Sequence, residues 1–295
     1  MGRDESDDIA QSKQHIGGIF DRAATSYDHV GPQFFSYFGK RLVEFAEISA
    51  GCSVLDVATG RGALLFPAAD VVGPRGQVIG IDLAKTMVEE TSKELARLNM
   101  PSNIHVRQMD AEHLQFPDES FDYVLCGFAI FFFPQLSHAM AEFHRVLKPG
   151  GRICISTWDK SDDDQWSWLD KIAKEHLPAN PEPDPSQEEN PTPQPVFNTI
   201  EGLTSIVEKA RFESIQVRLE TKDFVYKNNE EFWLTLWSHG KRAYLETIEK
   251  SKGQEGLQQF RSDVFRNFDH MKKDDGFHQA FSALIGLATK PQSSA

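Results

Sequence analysis

Val54-Leu55-Asp56-Val57-Ala58-Thr59-Gly60-Arg61-Gly62 decides how the rest of the chain is read. An apolar run from Ser53 to Val57 carries a carboxylate near its end, and two glycines one residue apart follow. Ala63, Leu64, Leu65 and Phe66 then resume at helical spacing. Strand, tight glycine turn and helix N-terminus, in that order, bring backbone close to a nucleotide-like ligand. By itself the stretch also fits a doubly wound α/β protein that uses its glycines only to turn the chain, so the neighbouring segments have to be read with it.

Downstream the pattern alternates. Strand 52–57 leads to helix 63–71, strand 77–82, helix 84–98, strand 104–109, strand 121–127, helix 135–147 and strand 152–157. Lys148-Pro149-Gly150-Gly151 stops the last of these helices. Repeated βα units of this length predict a parallel sheet with helices on both faces. Upstream, residues 1–14 read as a disordered leader, and 15–50 as a helical lid divided at Gly31-Pro32. After Trp158 a cap or substrate region is expected over 158–275, with helices over 162–177, 230–247 and 257–271. Core elements recur at about 200–220: a helix over 200–210 and a strand over 215–220. The acidic, proline-rich stretch 178–195 reads as a mobile loop, for which a passive insertion and a flap over the substrate entrance both fit. An apolar run over 281–288, within a terminal segment 276–295, reads as a strand added at the sheet edge.

Three carboxylates fall at successive strand ends: Asp56, Asp82 and Asp110. In an open α/β sheet the ligand lies outside the carboxyl ends of the strands, so all three address one ligand. Asp82 is placed to accept both hydroxyls of a ribose. Asp110, beside Ala111, is placed to accept from an exocyclic adenine amine, and Leu83 and Met109 to sandwich the base. Asp56 separates the cofactor classes. A dinucleotide would bring its pyrophosphate to the first glycine turn, where a carboxylate repels it, and Leu65 stands where the third glycine of that fingerprint belongs. A cofactor bearing an ammonium and a sulfonium suits Asp56, and S-adenosylmethionine has both.

Phe20-Asp21-Arg22-Ala23-Ala24-Thr25-Ser26-Tyr27-Asp28, Val54 to Gly62, Ile81-Asp82, Asp110-Ala111-Glu112, Phe116 to Asp122 and Arg145 to Arg152 occur in the order found in class I S-adenosylmethionine-dependent methyltransferases. The sequence resembles that family over residues 16–157, and within it the ubiquinone/menaquinone-biosynthesis type and its small-molecule relatives. The resemblance implies a doubly wound, mostly parallel seven-stranded Rossmann-like sheet with N-terminal helices and a helical cap. It also implies S-adenosyl-L-methionine as cofactor and S-adenosyl-L-homocysteine as product. By resemblance, the region of Asp56, Ala58 and Gly60 holds the methionine part, Asp82 the ribose, and Asp110 and Ala111 the adenine, with Gly62, Leu83 and Met87 also at the cofactor site. Gly127 and Phe128 line the reaction centre, and Tyr27 closes over the cofactor. Ala58 and Arg211 depart from the family pattern where glycine is common.

Methyl transfer needs alignment and water exclusion above all, and a base only for acceptors such as phenols. Candidate bases are His239, His29 and His138, in that order, and an electron-rich acceptor would need none. Aromatic residues follow strands four and five and lie in the cap: Phe128, Phe131, Phe132, Trp158, Trp166 and Trp237, with Tyr27, form the candidate acceptor wall. The expected acceptor is a bulky apolar small molecule of terpenoid, indole, polyketide or quinone-like type, in natural-product biosynthesis. The alternatives are a quinone-ring C-methyltransferase and a non-catalytic S-adenosylmethionine-binding module.

The balance of 31 basic against 44 acidic residues, net −13, argues against nucleic acid as partner. Cys52, Cys126 and Cys154 fit neither a zinc site nor a disulfide framework, and no metal is expected. The start is polar and acidic, and no apolar run reaches membrane-spanning length, so the expectation is a cytoplasmic protein without stable membrane insertion. Met1-Gly2 to Ser6 matches myristoylation spacing, but its acidic neighbours oppose an anionic membrane. The aromatic N-terminal helices leave a homo-oligomer open.

Overall fold

The computed structural model describes residues 5–178 and 196–292; nearly all of the proline-rich 178–195 stretch lies outside the described residues. Among the described residues there are seven strands: β1 (Ser53–Val57), β2 (Gln77–Asp82), β3 (Ile104–Gln108), β4 (Phe121–Gly127), β5 (Leu147–Trp158), β6 (Glu213–Tyr226) and β7 (Phe277–Thr289). They form one sheet in the order β3-β2-β1-β4-β5-β7-β6. The first five pair in parallel, and β7 runs antiparallel to both of its neighbours. The order reverses between β1 and β4, which opens a ligand crevice at their carboxyl ends.

The helices are α1 (Glu5–Ala23), α2 (Phe34–Ala46), α3 (Leu65–Val72), α4 (Lys85–Arg97), α5 (Leu136–Val146), α6 (Ser161–His176), α7 (Ile200–Lys209), α8 (Asn229–Ser238) and α9 (Arg242–Met271). Successive residues of a strand face opposite sides, and β1 shows it: Val54 packs with Leu42, Leu65 and Leu95, while Leu55 packs with Met140, Phe143, Leu203 and Val207. Helices therefore cover both faces. The cap has its own core, in which Leu169 and Ile172 of α6 meet Phe232, Trp233 and Leu236 of α8 and Ile248, Phe260, Val264 and Phe268 of α9.

Four expectations need correction. Residues 5–14 are not a leader but the first turns of α1, which the ion pairs of Lys13 and the packing of Ile19 anchor to the body. The terminal strand β7 is not at the edge but is inserted between β5 and β6. Residues 283–288 are buried without interruption, so they require a neighbour on each side, whereas the half-exposed β6 tolerates the edge. β5 begins at Leu147, so Lys148 to Gly151, read as the stop after a helix, already belongs to the strand. The helix expected over 230–247 breaks at His239-Gly240-Lys241, where His239 is extended at φ −133° and ψ −173°. The Ser238 hydroxyl and His239 Nδ1 both bond the Thr235 carbonyl, competing for an acceptor in the last turn of α8.

Candidate functional site

The carboxyl ends of β1, β2 and β4, with the turn after β3, wall one cavity, and α1 lies across it. Asp82 ends β2 and ties two loops together. Its Oδ2 accepts the Gly60 N–H at 2.8 Å and its Oδ1 the Ala84 N–H at 2.9 Å. Burial pushes this carboxyl up to about 6 against the pull of those N–H groups. Ala58, Gly60, Leu83, Met87, Met109, Asp110, Ala111, Gly127 and Phe128 complete the inner wall. From α1, Lys13, Ile16, Gly17 and Phe20 close it, and Tyr27 stands at the same side.

Asp56 is placed otherwise than expected. It is fully buried beneath the glycine turn and lines no described cavity. Its Oδ2 accepts the Thr59 hydroxyl at 2.5 Å, while Oδ1 has no hydrogen-bond partner. Burial pushes it up to about 7, the Thr59 bond opposing and the charge of Asp82 adding to the rise. The carboxyl thus ties the glycine loop from below through Thr59. Gly62 also lies off the cavities; at φ 84° it serves the turn, and a Cβ there would strike the Phe66 ring. Ala58 and Arg211, the two departures from the family pattern, both adopt left-handed backbone, at φ 54° and 65°.

A second cavity, about 260 Å³, opens beside the first and is lined mainly by aromatic side chains, with Thr235, Leu236, Gly240 and Lys241 contributed by α8 and the break after it. Phe34, Phe35, Phe128, Phe131, Phe132, Trp158, Trp166 and Phe281 line it, with Phe20, Tyr27 and His239. Phe20, Tyr27, Phe128 and Phe132 belong to both cavities and form their common wall. Asp28 builds part of that wall: it accepts the Phe35 and Ser36 N–H groups and the Ser36 hydroxyl at the start of α2. Burial pushes Asp28 up to about 6, those three bonds opposing. The bonds fix the corner at which the Tyr27 ring stacks on Phe35, centroids 5.2 Å apart and 8° from parallel.

Of the three candidate histidines, His239 alone lies in the aromatic cavity. It stacks on Phe34 at 4.8 Å and meets Tyr27 and Phe35 at 5.3 Å each. Its Nδ1 is 2.7 Å from the Thr235 carbonyl. A carbonyl only accepts, so Nδ1 carries the proton and Nε2 the lone pair. Nε2 is buried without a partner, and desolvation pushes the ring down to about 4, so it stays neutral. His29 is exposed at a side cleft next to Gly60 and Arg61. His138 is exposed on α5 and lines none of the described cavities. Trp237 is a further correction: it packs against the cap core with the Arg242 guanidinium 5.1 Å over its ring, outside the aromatic cavity.

Sequence reasoning missed Phe34, Phe35, Phe281 and Lys13. The first two stood in a helical pattern that reads as packing, and Phe281 in an apolar strand. Lys13 lay in the presumed leader, and only its pairing with the acidic turn after β3 reveals it.

A family described as a methyltransferase domain matches residues 48–225. The chain is 41% identical over 145 residues to the aklanonic acid methyltransferase DauC of Streptomyces sp. (strain C5), covering 49% of this chain and 66% of the relative. It is 33% identical over 149 residues to the demethylmenaquinone methyltransferase of Lactobacillus johnsonii, covering 48% and 60%. The matches thus span less than two thirds of those relatives' own length. The YcgJ protein of Bacillus subtilis shares the fold, with a TM-score of 0.54 at 20% identity over 87% of this chain and all of that one. The chain belongs to the class I S-adenosylmethionine-dependent methyltransferases, with S-adenosylmethionine as cofactor.

Proposed function

We propose that the protein transfers the methyl group of S-adenosylmethionine to a bulky, apolar, flat small molecule, of the kind made in natural-product biosynthesis. One observation carries this reading: an aromatic cavity of about 260 Å³ shares the wall of Phe20, Tyr27, Phe128 and Phe132 with the cavity around Asp82. A flat ring system finds stacking partners over most of its surface there.

The residues of the first cavity fit the cofactor. Asp82 is an acceptor in the wall, free of any cationic partner among the described residues, and suits a pair of donating hydroxyls. Leu83, Met87 and Met109 offer an apolar slot for a base. When bound, S-adenosylmethionine supplies a methyl group on a sulfonium, an electrophile that needs no metal or acid from the protein. The chain's own part is to align and to exclude water. Tyr27 and Phe128 hold the two cavities in register, and Phe20 of α1 closes over them. Neutral His239 accepts a hydrogen bond from an acceptor hydroxyl through Nε2 and orients that oxygen. A ring pushed down to about 4 is a weak base at neutral pH, so its role is orientation more than proton removal.

The identity to a demethylmenaquinone methyltransferase favours a second reading, ring C-methylation of a quinol. A mass-detected screen of flat polycyclic phenols, indoles, terpenoids and quinols against small polar amines tests both. Methylated polycyclic products support the first reading and a ring-methylated quinol the second. Methylation confined to the polar amines would refute both.

A further inference from the structure

Helix α1 sets a cation against the base end of the cofactor cavity. Lys13 Nζ lies 2.7 Å from Asp110 Oδ2 and also pairs with Glu112 Oε2. The Lys13 side chain is only 15% exposed and that of Glu112 1%. The other Glu112 oxygen accepts the Gln135 N–H at 2.7 Å, so the backbone fixes this buried charge and Lys13 neutralises it. Asp110 Oδ1 accepts the Glu112 N–H at 2.9 Å, which leaves Oδ2 to Lys13 and to the exposed His113 ring, whose Nδ1 lies 3.2 Å away and which does not line the cavity. Other contacts of α1 are Gly17 against Leu83, Phe20 edge-on to Phe132 at 5.2 Å, Asp21 accepting the Thr86 N–H at 2.7 Å and Arg22 paired with Glu246, none of which reaches the acidic turn after β3. An ion cluster with one carboxylate buried is costly, and it lines the cavity.

We propose that Lys13 is a cofactor-site residue: carried by the lid, it joins Asp110 at the edge of the purine that bears the six-substituent, so that this edge meets a donor and an acceptor together. The inference rests on the cofactor reading that sets adenine beside Asp110. Asp110 alone accepts an exocyclic amine but repels a carbonyl oxygen. With the Lys13 ammonium beside it, the same edge also donates. The site therefore tolerates an amino or an oxo group at that position, and the tolerance comes from Lys13.

The test is calorimetric titration of the full chain with S-adenosylhomocysteine and with S-inosylhomocysteine, in which an oxo group replaces the amine. In the unaltered protein the two dissociation constants should lie within about tenfold of each other. In Lys13→Met the inosyl compound should lose about 100-fold relative to the adenosyl compound, because a carbonyl oxygen then faces the carboxylate with no donor left in the cavity wall beside it, His113 lying against Asp110 from outside the cavity. Lys13→Arg should restore the tolerance. Because Lys13→Met strands the buried Glu112 charge, the double variant K13M/E112Q provides a foldable control, its melt followed by circular dichroism, and should show the same 100-fold preference. An unaltered protein that already rejects the inosyl compound by about 100-fold, with a ratio unchanged in K13M/E112Q, would overturn the proposal. Failure of the unaltered protein to bind either compound would overturn the cofactor reading itself, a separate result.

Discussion

Removing Asp82 separates the cofactor site from the fold in a way that can be quantified. In Asp82→Ala the Gly60 and Ala84 N–H groups lose acceptors at 2.8 and 2.9 Å. Bonds to a charged acceptor contribute about 1.5–3 kcal/mol each, and water reaching this half-buried site recovers part of the loss, leaving a destabilisation of about 2–3 kcal/mol. Cofactor binding suffers more. Two donating hydroxyls lose their common acceptor and the loop around Gly60 loses its tie, so affinity should fall by about 100- to 1,000-fold, or 3–4 kcal/mol. The assay is calorimetric titration with S-adenosylhomocysteine below the variant's melting temperature, with urea unfolding in parallel. Asp82→Asn keeps one oxygen and should fall between the two. If Asp82→Ala binds within about threefold of the unaltered protein, the ribose is held elsewhere and the reasoning about β2 fails.

Relief of backbone strain should stabilise the protein: Ala58→Gly and Arg211→Gly remove a side chain at φ 54° and 65°, and each should gain about 0.5–1 kcal/mol in urea unfolding with an unchanged slope. His239→Gln should slow acceptor methylation by about 10- to 100-fold while leaving S-adenosylhomocysteine affinity intact. Since burial pushes His239 down to about 4, this ring stays neutral across the neutral range; a rate limb near 6.5 that vanishes in His239→Gln would refute that view. Cofactor-free stability should fall with rising pH. Asp28 and Asp82 are pushed up to about 6 and Asp56 to about 7, above the ordinary 3.8, so their contribution is full below the ordinary value and lost as pH rises through the raised ones. The urea midpoint should therefore be higher at about pH 5 than at about pH 8, and a rising midpoint would count against these burials.

The strand frame was legible because strict alternation of short apolar runs with helical segments admits little else. β2 and β4 fall on the residues expected for them. Asp82 and Asp110 line the cavity because one closes β2 and the other lies in the turn beyond β3, both at the carboxyl edge of the sheet where the crevice opens. The place of Asp56 was not legible, since one residue's alternation turns its carboxyl beneath the loop, a matter of register that composition does not carry. The place of β7 between β5 and β6 depends on burial of both its faces, which an apolar run at the end of a chain leaves open. The break at His239 arises from two side chains competing for one carbonyl, a local contest invisible in the apolar periodicity of Phe232 to Leu245. The first part of α1, residues 5–14, reads as a leader because its polarity is that of a surface helix, and the attachment of α1 rests on a few long-range pairs such as Lys13 with Asp110 and Arg22 with Glu246.

A single-turnover reaction with methyl-labelled S-adenosylmethionine and a flat polycyclic acceptor tests methyl transfer most directly. The expected result is label on the acceptor with an equal yield of S-adenosylhomocysteine, and loss of both in Asp82→Ala. Tight binding of cofactor and of polycyclic acceptors alike, with the label remaining on S-adenosylmethionine across the whole panel, would contradict it and leave a binding module in place of an enzyme.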